Sequence, residues 1–307
     1  MQIVYKKKKL AGRVKPKTEQ KKKMKREYPN FNIRCSLKEL HEVVQDLKEA
    51  QKEKIALLGF GSLLDCNIKG NVSRPFIVWI MDHLNPNTMK LEFGGGRVLE
   101  VTPQAVEAVF GFPRGVKSAP KPSDQSYVVE MRKLQRELGT DKEITAPNQL
   151  RDRIKTGGVD DLTMRCFFLV VFMKVLCPTF AVCVTREAAM VDGLRIENML
   201  DMDFCQLVVE ELRKAARKWH APGSAKNTVE GCVVMLLVMY VDSYKSRFGI
   251  SHQLTPRVKY YSNDIILKVI KDDQLPCVDG EPKQWGRCSM SIFSPCIFQS
   301  VFLFYCF

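Results

Sequence analysis

Histidine is scarce in this chain: His41, His83, His220 and His252 are the only four among 307 residues. Zinc sites and acid–base centres draw heavily on imidazole, so four dispersed copies leave little material for either. No CxxC occurs, and Cys277 with Cys288 has no second pair to complete a zinc ribbon. An N-terminal apolar stretch of the secretory kind is missing. The eleven cysteines are odd in number and scattered, several of them inside apolar runs, where a thiol behaves as a small hydrophobe. That usage excludes a secreted disulfide framework and fits a reducing compartment. No internal repeat at a solenoid period is present.

Acid is what the first 26 residues lack. They hold twelve Lys and Arg against Glu19 alone, a net +11 of the whole chain's +14. The other 281 residues carry 36 bases and 33 acids, so the remainder is nearly neutral. Nine of the twelve bases fall in two clusters, Lys6, Lys7, Lys8, Lys9 and then Lys21, Lys22, Lys23, Lys25, Arg26. With self-repelling charge and little to bury, residues 1–34 read as a disordered basic tail. Two short clusters joined by an extended linker suit two acidic sites on a carrier, the pattern of a bipartite nuclear import signal. The nucleus is then the expected location and an import carrier the expected partner. The alternative is an arm that binds phosphates without sequence preference.

Residues 35–280 carry the apolar patterning of a folded body, and 45% hydrophobic content can fill a sizeable core. Ser36 and Glu39 form a capping box, and Leu37, Leu40, Val43, Val44 and Leu47 recur at helical spacing. The pattern predicts one helix to about Leu58, ended by Gly59. A short helix follows Ser73-Arg74-Pro75. Over residues 88–101 the period changes to alternation around Gly94-Gly95-Gly96, which predicts a β-hairpin. Thr102-Pro103 then caps a helix that Gly111 ends. Further helices are expected over 123–138, 147–155, 161–176, 203–219, 229–247 and 257–271. The clearest is 203–219, where Phe204, Leu207, Val208, Leu212, Ala215, Ala216 and Trp219 make one stripe. Arg213, Lys214, Arg217 and Lys218 occupy its other side, as a solvated face usually does. The expected class is therefore mainly α, a single helical domain with a small β-hairpin. Residues 281–307 differ: they form an apolar tail without a stripe, which reads as a truncated or misassigned gene end.

In order, Arg97-Val98-Leu99-Glu100-Val101-Thr102-Pro103, Val109-Phe110-Gly111-Phe112-Pro113-Arg114-Gly115 and Leu176-Cys177-Pro178-Thr179 appear along the chain. They are followed by Val229-Glu230-Gly231-Cys232, Leu236-Leu237-Val238-Met239-Tyr240-Val241-Asp242 and Pro256-Arg257-Val258. Over residues 35–270 this order resembles the plant mobile domain, also labelled aminotransferase-like, of transposon-encoded proteins in grasses. The resemblance implies a mostly helical module without established catalysis, associated with nuclei. In many such proteins a Ulp-type cysteine protease domain follows this region; here that part is absent.

Sites for chemistry are few. Asp65-Cys66 is the nearest approach to an Asp-Cys-Gly nucleophile, but Asn67 stands in the glycine position and no His-Trp partner follows. Lys174 is the one lysine inside an apolar run, yet it falls in the last turn of its helix, where a cation satisfies carbonyls. Gly94-Gly95-Gly96 lacks the Gly-Lys-Ser/Thr ending of a phosphate loop. Residues 166–184 are long enough to span a bilayer but contain Lys174 and Pro178, and membrane insertion is not expected. The sequence therefore predicts no catalytic residue, no metal and no cofactor. It predicts a non-enzymatic nuclear interaction module of mobile-element origin, with other proteins and chromatin as partners. The alternatives are nonspecific nucleic-acid binding through the tail, and the inactive leading fragment of a protease-bearing protein.

Overall fold

The computed structural model describes residues 32–70, 73–118, 124–140, 148–178, 196–244, 250–251, 253–276 and 283–286. Both basic clusters, and residues 287–307 of the apolar tail, lie outside the described residues. The body is mainly α-helical, as the sequence predicts, with eleven α-helices among the described residues and a small antiparallel sheet.

Two helices are buried on nearly every side and form the centre. These are α8 (Asp161–Val171), extended by a widened π-type turn over Phe172–Leu176, and α10 (Val233–Ser243). Amphipathic helices surround them: α1 (Leu37–Gln45), α4 (Arg74–Asp82), α5 (Pro103–Phe110), α9 (Phe204–His220) and α11 (Asn263–Asp273). α4 and α5 each pack against both α9 and α10, and α1 packs on α8. The entire predicted stripe of α9 is buried. At about 1.5–3 kcal/mol per large apolar side chain, this one helix accounts for a large share of the packing energy.

Side-chain caps fix the helix starts. Ser36 accepts from Glu39 N–H, Thr102 from Ala105 N–H, Asp203 from Gln206 N–H and Ser262 from Ile265 N–H. Asp160 begins α8 by accepting from Thr163 N–H and from Arg153. Burial works against its charge, but the hydrogen bonds from Arg153 and Thr163 outweigh it and hold the carboxyl below the usual range.

Three predicted helices are corrected. The stretch 36–58 is broken into α1 and α2 (Glu49–Ile55), and a π-type turn over Ala56–Phe60 leads on into α3 (Gly61–Leu64). Buried Gln51 supplies the reason for the first break. Its Oε1 accepts from Lys48 N–H, and its Nε2 donates to Ile154 O (2.9 Å), at the end of α7 (Asn148–Thr156). That tertiary polar contact overrides local helix propensity. In place of a helix from residue 229, Thr228–Val229 forms a strand, and the helix starts at Val233 after Gly231 turns at φ 73°. The stretch 257–271 is a single 3₁₀ turn, Arg257–Lys259, followed by α11.

The hairpin is present as β3 (Lys90–Glu92) and β4 (Val98–Glu100), and β2 (Leu84–Asn85) extends it to three strands in the order β2-β3-β4. A separate pair joins distant parts of the chain: β1 (Asn32–Ile33) runs parallel to β5 (Thr228–Val229). The folded body thus includes Asn32, three residues before the start that the sequence predicts.

It also ends later. The sequence places Trp285 in the tail beyond residue 280, but its side chain is 4% exposed. The indole donates to Ile270 O (3.0 Å), and its ring meets Phe76 at 5.2 Å and Trp79 at 5.5 Å. Leu275 N–H to Gln284 O and Gly286 N–H to Asp273 tie the segment down. Trp285→Ala removes this plug, and the loss of folding stability should be about 3–5 kcal/mol, read from the urea midpoint.

Candidate functional site

Most of the residues that the sequence singles out for chemistry within the body have a defined structural place. Lys174 forms an ion pair with Glu39 at 2.9 Å, and its carbonyl accepts from Ser36 N–H. This lysine is a fastener between α8 and α1. Asp65 pairs with Lys259 at 2.7 Å, while Cys66 is buried and points its thiol toward Ile68 O. Gly94, Gly95 and Gly96 make the hairpin turn, each at positive φ. His83 lies 4.4 Å from the Trp79 ring with Nδ1 against Trp79 O, and His220 meets Met81 O. His252, Cys277 and Cys288 lie outside the described residues. Among the described residues no group of three or more His, Cys, Asp and Glu could hold a metal ion. Nor is any described helix long and apolar enough to cross a membrane.

Six cysteines are described, and all are buried: Cys35, Cys66, Cys166, Cys177, Cys205 and Cys232. Burial pushes the Cys66 thiol up to about 11 and that of Cys166 up to about 12. Cys205 and Cys232 are pushed up further, also by burial, and for Cys232 the hydrogen bond with Cys35 adds to it. A raised thiol pKa means a protonated, poorly nucleophilic sulfur at neutral pH. Iodoacetamide at about pH 8 should leave these six cysteines unmodified in the folded protein and label all of them in denaturing urea, as read by peptide mass mapping. Labelling of Cys66 in the folded state would reverse this assignment.

The motifs that carry the family resemblance are packing nodes. In the first, Phe110 and Phe112 stack at 4.8 Å, and Phe60 packs on Phe112 at 5.2 Å. Gly111 between them sits at φ 67°, and a Cβ there would come within 2.6 Å of Pro256, so glycine is required. The following residues dock onto the start of α9: Pro113 O accepts from Phe204 N–H and Phe112 O from the Cys205 thiol. In the second node, Cys35, Cys177 and Cys232 converge. There Gly231 N–H donates to Pro178 O and Arg34 N–H to Val229 O.

The third node is ionic. Arg257 and Asp242 are both buried and form a salt bridge. The Arg257 guanidinium also donates to Ser251 O, Leu254 O and Ile250 O, while Tyr261 donates its hydroxyl to Asp242 at 2.7 Å. Burial, then the Asp242 charge, pushes the Tyr261 phenol up, which keeps it a hydrogen-bond donor. Sequence reasoning flagged Pro256-Arg257-Val258 and Asp242 only as resemblance; nothing in the linear pattern pairs them.

A shallow cleft of about 400 Å³ lies between α1, α2 and α3, lined in part by Val44, Glu49, Lys52, Glu53 and Asp65. Glu49 faces Lys52 at 3.3 Å, so two of its charges are already partnered. The exposed charged surface of α9 lies elsewhere. Arg217 and Lys218 are exposed in its last turn, and of residues 221–227 that follow, all but the half-buried Ser224 are exposed.

The described residues thus form a mainly helical body in which the sequence motifs serve as packing nodes and the six described thiols are buried. The chain belongs to the family described as a domain of unknown function (DUF8566), whose model matches residues 33–237. No curated protein and no solved structure matches it. The matched region opens in β1 and closes inside α10, so the first two nodes lie within it. Arg257 and Trp285 lie beyond it.

Proposed function

We propose that this chain is a non-enzymatic nuclear interaction module derived from a plant mobile element. In this reading residues 1–26 deliver the helical body to the nucleus, where it engages other proteins and chromatin. The observation that carries the reading is the partition of charge, a net +11 over residues 1–26, nine of whose twelve bases fall in two clusters, and near neutrality elsewhere. A body that needed its charge for solubility would spread it over its own surface. The order of the resemblance motifs, from Arg97-Val98 to Pro256-Arg257, supports the mobile-element origin.

The test uses the full chain fused to a fluorescent protein. Alanine at Lys6, Lys7, Lys8, Lys9, Lys21, Lys22, Lys23, Lys25 and Arg26 should move the fusion from nucleus to cytoplasm. Nuclear accumulation that survives this replacement overturns the import assignment.

A second reading, nonspecific nucleic-acid binding through the basic tail, is favoured by the same net +11 over residues 1–26.

A further inference from the structure

We infer that the pocket filled by Trp285 is a recognition site for an extended peptide of another protein in which tryptophan precedes glycine. Residues 283–286 of this chain hold that site closed in cis. The inference goes beyond the nuclear import reading and uses none of its residues.

Elements far apart in the chain build the pocket. α4 supplies Phe76 and Trp79, α10 supplies Tyr240, α11 supplies Ile270 and Asp273, and the hairpin supplies Phe93. Tyr240 lies 5.2 Å from the Phe76 ring and 5.4 Å from that of Trp79, and Phe93 stacks on Trp79 at 5.3 Å. The aromatic wall is thus braced by contacts among its own members. Between these rings the Trp285 indole donates to Ile270 O. Ile270 sits in the last turn of α11, where carbonyls lack a partner within the helix. An indole N–H satisfies that acceptor, whereas a phenyl or aliphatic side chain leaves it bare.

The main chain of the occupant is held as closely as its side chain. Gly286 is clamped from both sides: its N–H donates to the fully buried Asp273 at 2.9 Å, and its carbonyl accepts from the Arg97 guanidinium at 3.1 Å. Partners on the body position both halves of the clamp. Asp273 accepts from the Tyr240 hydroxyl, and Arg97 donates to Phe93 O. Glycine suits the clamped position, because φ is 109° and a Cβ there would come within 2.9 Å of Arg97. Gln284 O accepts from Leu275 N–H at 3.0 Å, and Trp285 bridges Gln274 in antiparallel fashion, as an added strand does. The exposed Gln284 also accepts at Oε1 from Trp79 Nε1 at 3.1 Å.

Packing an indole into a core needs apolar contact and one acceptor. A carboxylate and a guanidinium aimed at the two polar groups of the next residue go further, and they select the dipeptide Trp-Gly. Phe76, Trp79, Phe93 and Arg97 lie within residues 33–237, which match the family, and the occupant lies outside them. A partner displaces the cis segment by presenting the same dipeptide with further contacts of its own.

The experiment uses the full chain and a fluorescein-labelled synthetic peptide with the sequence of residues 281–287, read by anisotropy. Trp285→Ala empties the pocket and should bind the peptide. The unaltered chain should bind it at least about tenfold more weakly, since its own segment competes at an effective concentration on the order of millimolar. Gly286→Ala keeps the indole but strains the clamp, and should also bind more tightly than the unaltered chain. A peptide with alanine in place of the tryptophan should bind the Trp285→Ala chain at least about thirtyfold more weakly, the loss of an interface anchor. Alanine in place of the peptide's glycine should weaken binding as well. Circular dichroism melts establish that both variants are folded. Two folded variants that bind the peptide no better than the unaltered chain overturn the inference and leave Trp285 a core residue only. Equal binding of all three peptides also overturns it. So does a dimer that exchanges residues 283–286, seen by light scattering, when neither variant takes the peptide; the pocket then serves a second copy of the chain. Import in cells is scored separately, so its failure does not touch this result.

Discussion

Leu212→Asp should unfold the body. Leu212 is fully buried in the middle of the α9 stripe, and the end of β5 packs directly over it through Gly231. An aspartate there loses the leucine's packing, about 2–5 kcal/mol, and cannot ionise without a partner, at a cost of several kcal/mol more. Because natural domains hold only about 5–15 kcal/mol in reserve, the sum removes most or all of it. Far-ultraviolet circular dichroism and a urea titration check this at once. The conservative Leu212→Met, similar in volume, should cost less than about 1.5 kcal/mol. A folded Leu212→Asp protein with an unchanged midpoint would mean that α9 does not carry the core.

Asp242→Ala should cost about 3–5 kcal/mol, because it leaves the Arg257 guanidinium buried without its counter-charge. Ser251 O, Leu254 O and Ile250 O can still accept from that guanidinium, but none neutralises it. Tyr261 loses its acceptor as well. The paired change Asp242→Leu with Arg257→Met should recover most of the loss, since removing both charges also removes their desolvation cost. Urea midpoints for the two single variants and the double variant form a cycle. A double variant as unstable as Asp242→Ala would show that the backbone hydrogen bonds to Arg257, rather than the ion pair, hold the residues after α10 in place.

The helical class was legible because it rests on local signals. Ser36, Thr102 and Ser262 are caps, Gly111 stops α5 at positive φ, and the α9 stripe repeats at 3.6 residues. What was not legible depends on partners distant in sequence. Gln51 reads as a surface helix residue until Ile154, Gly157 and Gly158 supply its acceptors. Trp285 falls in a stretch with no stripe of its own, and only Phe76, Trp79 and Ile270 explain its burial. The start of the body at Asn32 is invisible because two residues carry no periodicity, and the partner strand is far along the chain. For the charged surface of α9, the sequence supplied Arg213, Lys214, Arg217 and Lys218 as a face but not their position beside β5. Glu230, which pairs with Lys218, comes from the turn after β5, whereas Glu211, which pairs with Lys214, lies on α9 itself.

The pairing of β1 with β5 also bears on how the protein is made. Thr228 lies 196 positions after Asn32, so these strands cannot meet until most of the chain has left the ribosome. At about 5–20 residues per second, that interval is on the order of ten to forty seconds. Closing so long a loop comes late, after the local helices have formed, because its entropy must be met before the pairing returns any energy. Until then the leading basic residues are attached to an unfinished body and open to whatever binds polycations first. The order of synthesis thus puts residues 1–26 outside the ribosome well before the β1–β5 pair can close.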